Sequence, residues 1–161
     1  KFADGNVVDN TQTRTISDDP ISWDKHSGWY MPLGSKPLPD GSTAYEQVIY
    51  SPFVTRNKYL VLNTFINGSA ALVSCDTQNS SGFTYPLNVA DGTAVKGFWK
   101  DIDDKEQGLA REFGYTGFSP ILTMQNGDTV LLGKKASGGE IKNVNLPDQV
   151  SIRRLSWREL F

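Results

Sequence analysis

Carboxylates gather at Asp101, Asp103, Asp104 and Glu106, and several oxygen ligands in one compact loop are what a hard cation such as calcium requires. The cluster lacks the central glycine and the closing acidic residue of the helix-loop-helix calcium loop, and Ile102 interrupts it. A solvated acidic turn is the competing reading. Asp76-Thr77-Gln78-Asn79-Ser80 is a second oxygen-rich stretch with the same two readings, metal ligands or an ordinary polar turn. Lys134-Lys135 precedes Gly138-Gly139 with no Lys-Ser or Lys-Thr after the glycines. That order does not make a phosphate loop.

Nucleophilic catalysis has little to draw on. The only histidine, His26, falls in a turn-like segment, and no Gly-x-Ser-x-Gly elbow occurs, whereas a triad needs a buried, oriented imidazole. Cys75 is alone, so this chain forms no internal disulfide and no cysteine metal site. It reads either as a half-buried thiol at a strand end or as a cysteine whose partner belongs to a larger exported protein. Paired carboxylates for glycoside hydrolysis come from distant segments and cannot be recognised by spacing. The aromatics Trp23, Trp29, Tyr30, Phe83, Tyr85, Phe98, Trp99 and Tyr115 could furnish a sugar or peptide surface, although packing of a small β core accounts for most of them. The chemistry points to a protein that is not an enzyme.

A chain of 161 residues can bury one core, and 16 basic against 18 acidic residues leave a net charge of -2. No block of like charge steers it to nucleic acid, and no apolar run spans a bilayer. The start, Lys1-Phe2-Ala3-Asp4-Gly5, reads as an interior cut or processed end of something larger.

The elements that must position these residues are β-strands. Tyr50-Ser51-Pro52-Phe53-Val54 leads into Tyr59-Leu60-Val61-Leu62, and Phe118-Ser119-Pro120-Ile121-Leu122 leads into Thr129-Val130-Leu131-Leu132. One antiparallel pair used twice predicts blade-like hairpins, as in a partial or modified β-propeller. Ser27-Gly28-Trp29-Tyr30-Met31-Pro32-Leu33 echoes Ser81-Gly82-Phe83-Thr84-Tyr85-Pro86-Leu87, with proline closing the strand on an edge. Further strands are expected at Arg14 to Ile16, Ile21 to Trp23, Ala44 to Val54 with a break at Pro52, Lys58 to Ile66, Ala70 to Val73 after an Asn67-Gly68 turn, and Phe83 to Val89. Gly34 to Gly41 and Gly133 to Glu140 read as loops. Within 101–113, read as an insertion between blades, Leu109, Ala110 and Phe113 can form the stripe of one short helix. Val150 to Trp157, with Phe161, predicts a closing strand anchored by aromatics.

Arg14-Thr15-Ile16-Ser17-Asp18, Ile21-Ser22-Trp23 and Gly28-Trp29-Tyr30 resemble the C-terminal region of the PilY/PilC family of type IV pilus tip-associated adhesin and biogenesis proteins. Glu46-Gln47-Val48, Ser51-Pro52, Leu62-Asn63-Thr64-Phe65-Ile66 and the ending Arg153-Arg154-Leu155-Ser156-Trp157-Arg158-Glu159 continue it in the same order, across residues 14 to 161. The resemblance implies an extracellular protein at the pilus tip or bacterial cell surface, with a modified β-propeller. It implies support of pilus assembly, opposition to retraction, and surface or host attachment. Its partners would be minor pilins or other tip components, the upstream part of the same protein or a second copy, and a surface ligand. The family tunes retraction through an acidic calcium loop, but no matching run of alternating Asp and Asn exists here, so calcium is carried to no residue. Cys75 is the counterpart of the family's cysteine-containing loop, without a second cysteine. A whole propeller exceeds this length, and exposed edges then need covering by another chain, by a compact sandwich, or by the rest of a cleaved protein. The rival reading is a carbohydrate-binding or glycoside-processing β domain, marked by two acids in an aromatic-lined cleft. An inert structural part of a propeller is the third.

Overall fold

The computed structural model describes residues 8–10, 13–19, 21–38, 40–55, 59–68, 80–101, 108–113, 119–135 and 138–146. All pairing among them is antiparallel, and none of the sheets closes into a barrel. The largest sheet has six strands in the order β1 (Val8–Asn10), β2 (Thr13–Thr15), β9 (Leu109–Arg111), β8 (Thr84–Asn88), β6 (Tyr59–Asn63) and β5 (Phe53–Val54). A three-stranded sheet is built from β3 (Ser35–Pro37), β4 (Thr43–Gln47) and β7 (Phe65–Ile66). A second combines β10 (Ile121–Thr123), β11 (Thr129–Lys135) and β12 (Gly138–Val144). No helix among the described residues is long and apolar enough to cross a membrane.

The six-stranded sheet is covered on both faces, because side chains alternate along each strand. From β6, Leu60 and Leu62 join Tyr85, Leu87 and Ala110 in a cluster completed by Ala44 and Ile66 of the β3–β4–β7 sheet. Tyr59 and Val61 point the other way, into Phe98, Trp99 and Phe113 with Leu131 and Val144 of the β10–β11–β12 sheet. Trp99 meets Phe98 and Phe113 edge-on at centroid distances of 5.0 and 5.9 Å, the arrangement favoured by the ring quadrupoles.

β6 and β7 are one strand bent at Thr64, which carries the chain from the large sheet into the small one. Its partner bends with it: Tyr59 to Asn63 pair with Asn88 to Thr84, Thr64 N donates to Phe83 O at 2.9 Å, and Ile66 pairs with Ser81. Strands that switch sheets in this way make the corners of stacked β structures.

Both Ser-Pro segments lead into hairpins, with Phe53 opposite Val61 and Ile121 opposite Leu131. At the Asn126-Gly127 turn, Gly127 takes φ 87° and Asp128 N donates to Asn126 Oδ1 at 3.0 Å, a conformation that glycine adopts without penalty.

Several expectations are corrected. Leu109, Ala110 and Arg111 form a strand in the middle of the large sheet rather than a helix in an insertion. Leu109 and Phe113 face one cluster and Ala110 the other, a period of two. Gly34 to Gly41 contains β3, and 133–135 and 138–140 belong to β11 and β12, with Lys135 opposite Gly138. Ile21 to Trp23 is no strand, since Trp23 begins a turn closed by His26 N to Ser22 O at 2.8 Å. The Gly28 echo has no strand, whereas its counterpart is the buried β8. Pro86 is not at an edge: it opposes Val61, and its carbonyl accepts from Val95 N at 2.9 Å. Its missing donor therefore faces away from β6 and costs that ladder nothing. The Ala70 to Val73 run and the Val150 to Phe161 ending lie outside the described residues.

Gly92 turns at φ 72°, and a Cβ there would overlap the Trp29 indole. Gly92→Ala should lower stability by about 1–3 kcal/mol through strain and overpacking together. Urea unfolding of the two proteins measures the loss, and an unchanged midpoint would show that Trp29 moves aside freely.

Candidate functional site

Of the acidic cluster, Asp101 is described, and Asp103, Asp104 and Glu106 lie outside the described residues. Asp101 is engaged by cations, with Arg111 Nη1 at 2.5 Å and Lys142 Nζ at 3.3 Å. Burial alone would raise its pKa, but hydrogen bonding and charge from Arg111, then from Lys142, outweigh that and hold it below the usual value. A cation at Asp101 would compete with both side chains. Among the described residues no group of three or more His, Cys, Asp or Glu gathers to hold a metal. Residues 76–79 and Cys75 lie outside the described residues. His26 Nδ1 accepts from Ser22 N at 3.2 Å, which employs the imidazole in closing its own turn.

The arrangement that the structure does assemble is a buried polar network between the large sheet and β3–β4–β7. Arg14 from β2 and Glu46 from β4 form an ion pair with side chains 5% and 0% exposed. Glu46 Oε2 also accepts from Gly34 N at 3.0 Å, and Oε1 accepts from Tyr85 OH at 2.9 Å and from the Thr64 hydroxyl. Tyr85 OH accepts in turn from Arg14 Nη1 at 2.9 Å, and the Thr64 hydroxyl accepts from Phe83 N at 3.0 Å. The Arg14 guanidinium lies 3.9 Å over the Phe83 ring, and a Cβ on Gly34 would come within 2.8 Å of it. Each carboxylate oxygen thus takes two donors, the satisfaction that a buried charge demands.

Burial pulls the Arg14 pKa down, but the charge and hydrogen bonds of Tyr85 and Glu46 overcome it and the net shift is upward. Burial, then the Glu46 charge, pushes the Tyr85 phenol well above its ordinary range, with Arg14 offsetting part of the rise. Both directions keep Arg14 a guanidinium and Tyr85 a neutral phenol.

Against this network opens a cleft of about 240 Å³ lined by Arg14, Ser35, Lys36, Ile66, Ser81, Phe83 and Glu112. A smaller indentation brings Asp19 and Asp91 beside Trp29 and Tyr30, yet it offers about 20 Å³, room for about one water. Asp91 Oδ1 is occupied there by Thr93 N at 3.0 Å and Thr93 Oγ1 at 2.7 Å. Two acids and two aromatics do meet, without space for a sugar ring.

Of the aromatics, Phe83, Tyr85, Phe98 and Trp99 are buried, Trp29 packs on the core, Trp23 and Tyr30 are exposed, and Tyr115 lies outside the described residues. The network residues Arg14, Glu46 and Thr64, and the cleft residues Lys36, Ser81 and Glu112, were missed as a site by spacing. One signal was present: Glu46 shares its strand face with Ala44, and Arg14 shares its parity with Ile16, so alternation turns both charges inward.

Removing one partner leaves the other charge buried alone. Glu46→Ala should cost about 3–5 kcal/mol, with most of it recovered in the Arg14→Met/Glu46→Leu double variant; urea unfolding reads both. The Tyr85 shift has a definite sign, because a folded pKa above the unfolded value stabilises below the latter. The Tyr85 contribution should be level up to about pH 10, the unfolded tyrosine's range, and be lost above it. Tyr85→Phe should flatten that alkaline limb in unfolding curves recorded against pH. The chain matches no family model, no curated protein and no solved structure.

Proposed function

We propose that this chain is a non-enzymatic module of a type IV pilus-associated surface protein, supporting pilus biogenesis and attachment to surfaces or host cells. One observation carries the reading. Arg14, Glu46 and Thr64 come from three separate segments that resemble the PilY/PilC family, and the three side chains meet in one buried network. Pieces that share an order along a chain and also a junction in space behave as parts of one framework. The three antiparallel sheets stacked face to face support the finer reading, a modified β-propeller whose remaining edges are covered by the rest of a larger protein. Tyr45, Val48, Ile49 and Tyr50 are exposed on and just after β4, a composition suited to contact with another surface. Minor pilins or other tip components are the partners this reading names.

Deleting the codons for residues 14–161 in the native organism should remove surface pili, twitching and attachment. Because the module is read as opposing retraction, pili should return when the retraction motor is also removed. Normal piliation and attachment after the deletion would overturn the proposal.

A further inference from the structure

The cleft beside the buried network is lined by polar side chains that the protein does not use. Among the described residues Lys36, Ser81 and Glu112 make no side-chain hydrogen bond or ion pair, and the Arg14 Nε–H is buried with no acceptor. Lys36 lies opposite Ala44 in the register and so shares the inward face of β3 and β4 with Glu46. The polar groups come from four separate segments, β2, β3, the bridge residue Ser81 before β8, and the residue after β9, and Ile66 and Phe83 complete the lining.

Charge narrows the ligand. Arg14 is already compensated by Glu46, and Lys36 and Glu112 balance one another, so the lining carries no net charge. An uncharged ligand with donors and acceptors around its whole perimeter and an apolar face fits that lining. A cleft of about 240 Å³ accommodates one six-membered sugar ring. We propose that this cleft binds a single uncharged pyranose unit of a glycan, with Glu112 accepting from ring hydroxyls and Lys36 and Ser81 donating to them, and the C–H face of the sugar against the apolar part of the cleft wall. The site is a binding site: Glu112 is the one carboxylate in its described lining, and no bond is broken there. The inference stands on the cleft and not on the pilus reading, and a test on the purified chain separates the two.

The purified 161-residue chain, labelled with 15N, is titrated with the methyl glycosides of glucose, galactose, mannose and N-acetylglucosamine. At least one glycoside should shift the amide signals of Lys36, Ser81, Phe83 and Glu112, with a dissociation constant of order 1–10 mM, as suits one ring. Glu112→Ala and Lys36→Met should each weaken that binding by roughly fivefold or more, while thermal unfolding stays unchanged because neither side chain bonds within the fold. Absence of shifts at roughly 50 mM of every glycoside overturns the proposal. So do shifts that both variants leave intact, or shifts produced by free glycine and by none of the sugars, which would mark an amino-acid site.

Discussion

The constraint on which the rest of this structure depends is the burial of the Arg14–Glu46 pair. Two ions removed from water are tolerated only when each has its counter-charge and its remaining hydrogen-bonding capacity filled. Glu46 therefore needs the Tyr85 hydroxyl, the Thr64 hydroxyl and the Gly34 amide as well as the guanidinium. Each requirement recruits another piece of chain. Position 34 must be glycine because a Cβ would press on the guanidinium, and Phe83 must lie flat beneath it. Thr64 must sit at the bend between β6 and β7, where its hydroxyl also receives the Phe83 amide. The pair itself adds little net stability of this kind; its geometry selects one way of stacking the small sheet on the large one.

The opposite face of the large sheet is held differently. There the interior is mainly aromatic, with Trp99 at its centre and its Nε1 donating to Leu109 O at 2.8 Å. A smaller polar relay crosses the layer, in which Thr84 donates to Asn63 Oδ1 at 2.7 Å and Asn63 Nδ2 donates to Ser119 Oγ at 2.8 Å. Covering both faces of an antiparallel sheet removes the usual alternation of apolar and polar residues. That is why β8, Thr-Tyr-Pro-Leu-Asn, is buried along nearly its whole length.

The legibility of the sequence follows from this double burial. The hairpins after Ser51-Pro52 and Ser119-Pro120 were legible because each combines a strand-breaking step, apolar alternation and a turn. The Asp91-Gly92 and Asn126-Gly127 turns were legible because glycine there takes a positive φ. β3 was hidden by its composition, Ser-Lys-Pro, in which only pairing to Thr43–Gln47 makes a strand. β9 was hidden because three residues are too few to display a period, and Leu109, Ala110 and Phe113 fit a helical stripe as well as an alternating one. The network was hidden because arginine and glutamate are ordinarily surface residues; only their parity with Ile16 and Ala44 distinguishes them.

The separation between frame and function follows from which side chains are already committed. Arg14, Glu46, Asn63 and Thr64 are all consumed in holding sheets together. Residues so committed speak for the fold first, because any protein with this corner must solve the same electrostatic problem. Recognition of a ligand requires polar groups that folding has left unspent. Those lie at the margin of the same corner, on Lys36 of β3 and on Ser81 and Glu112 beside β8 and β9. A binding edge built against a rigid polar core loses little side-chain and backbone freedom when it closes on a ligand, and that preorganisation is what gives a small cleft useful affinity.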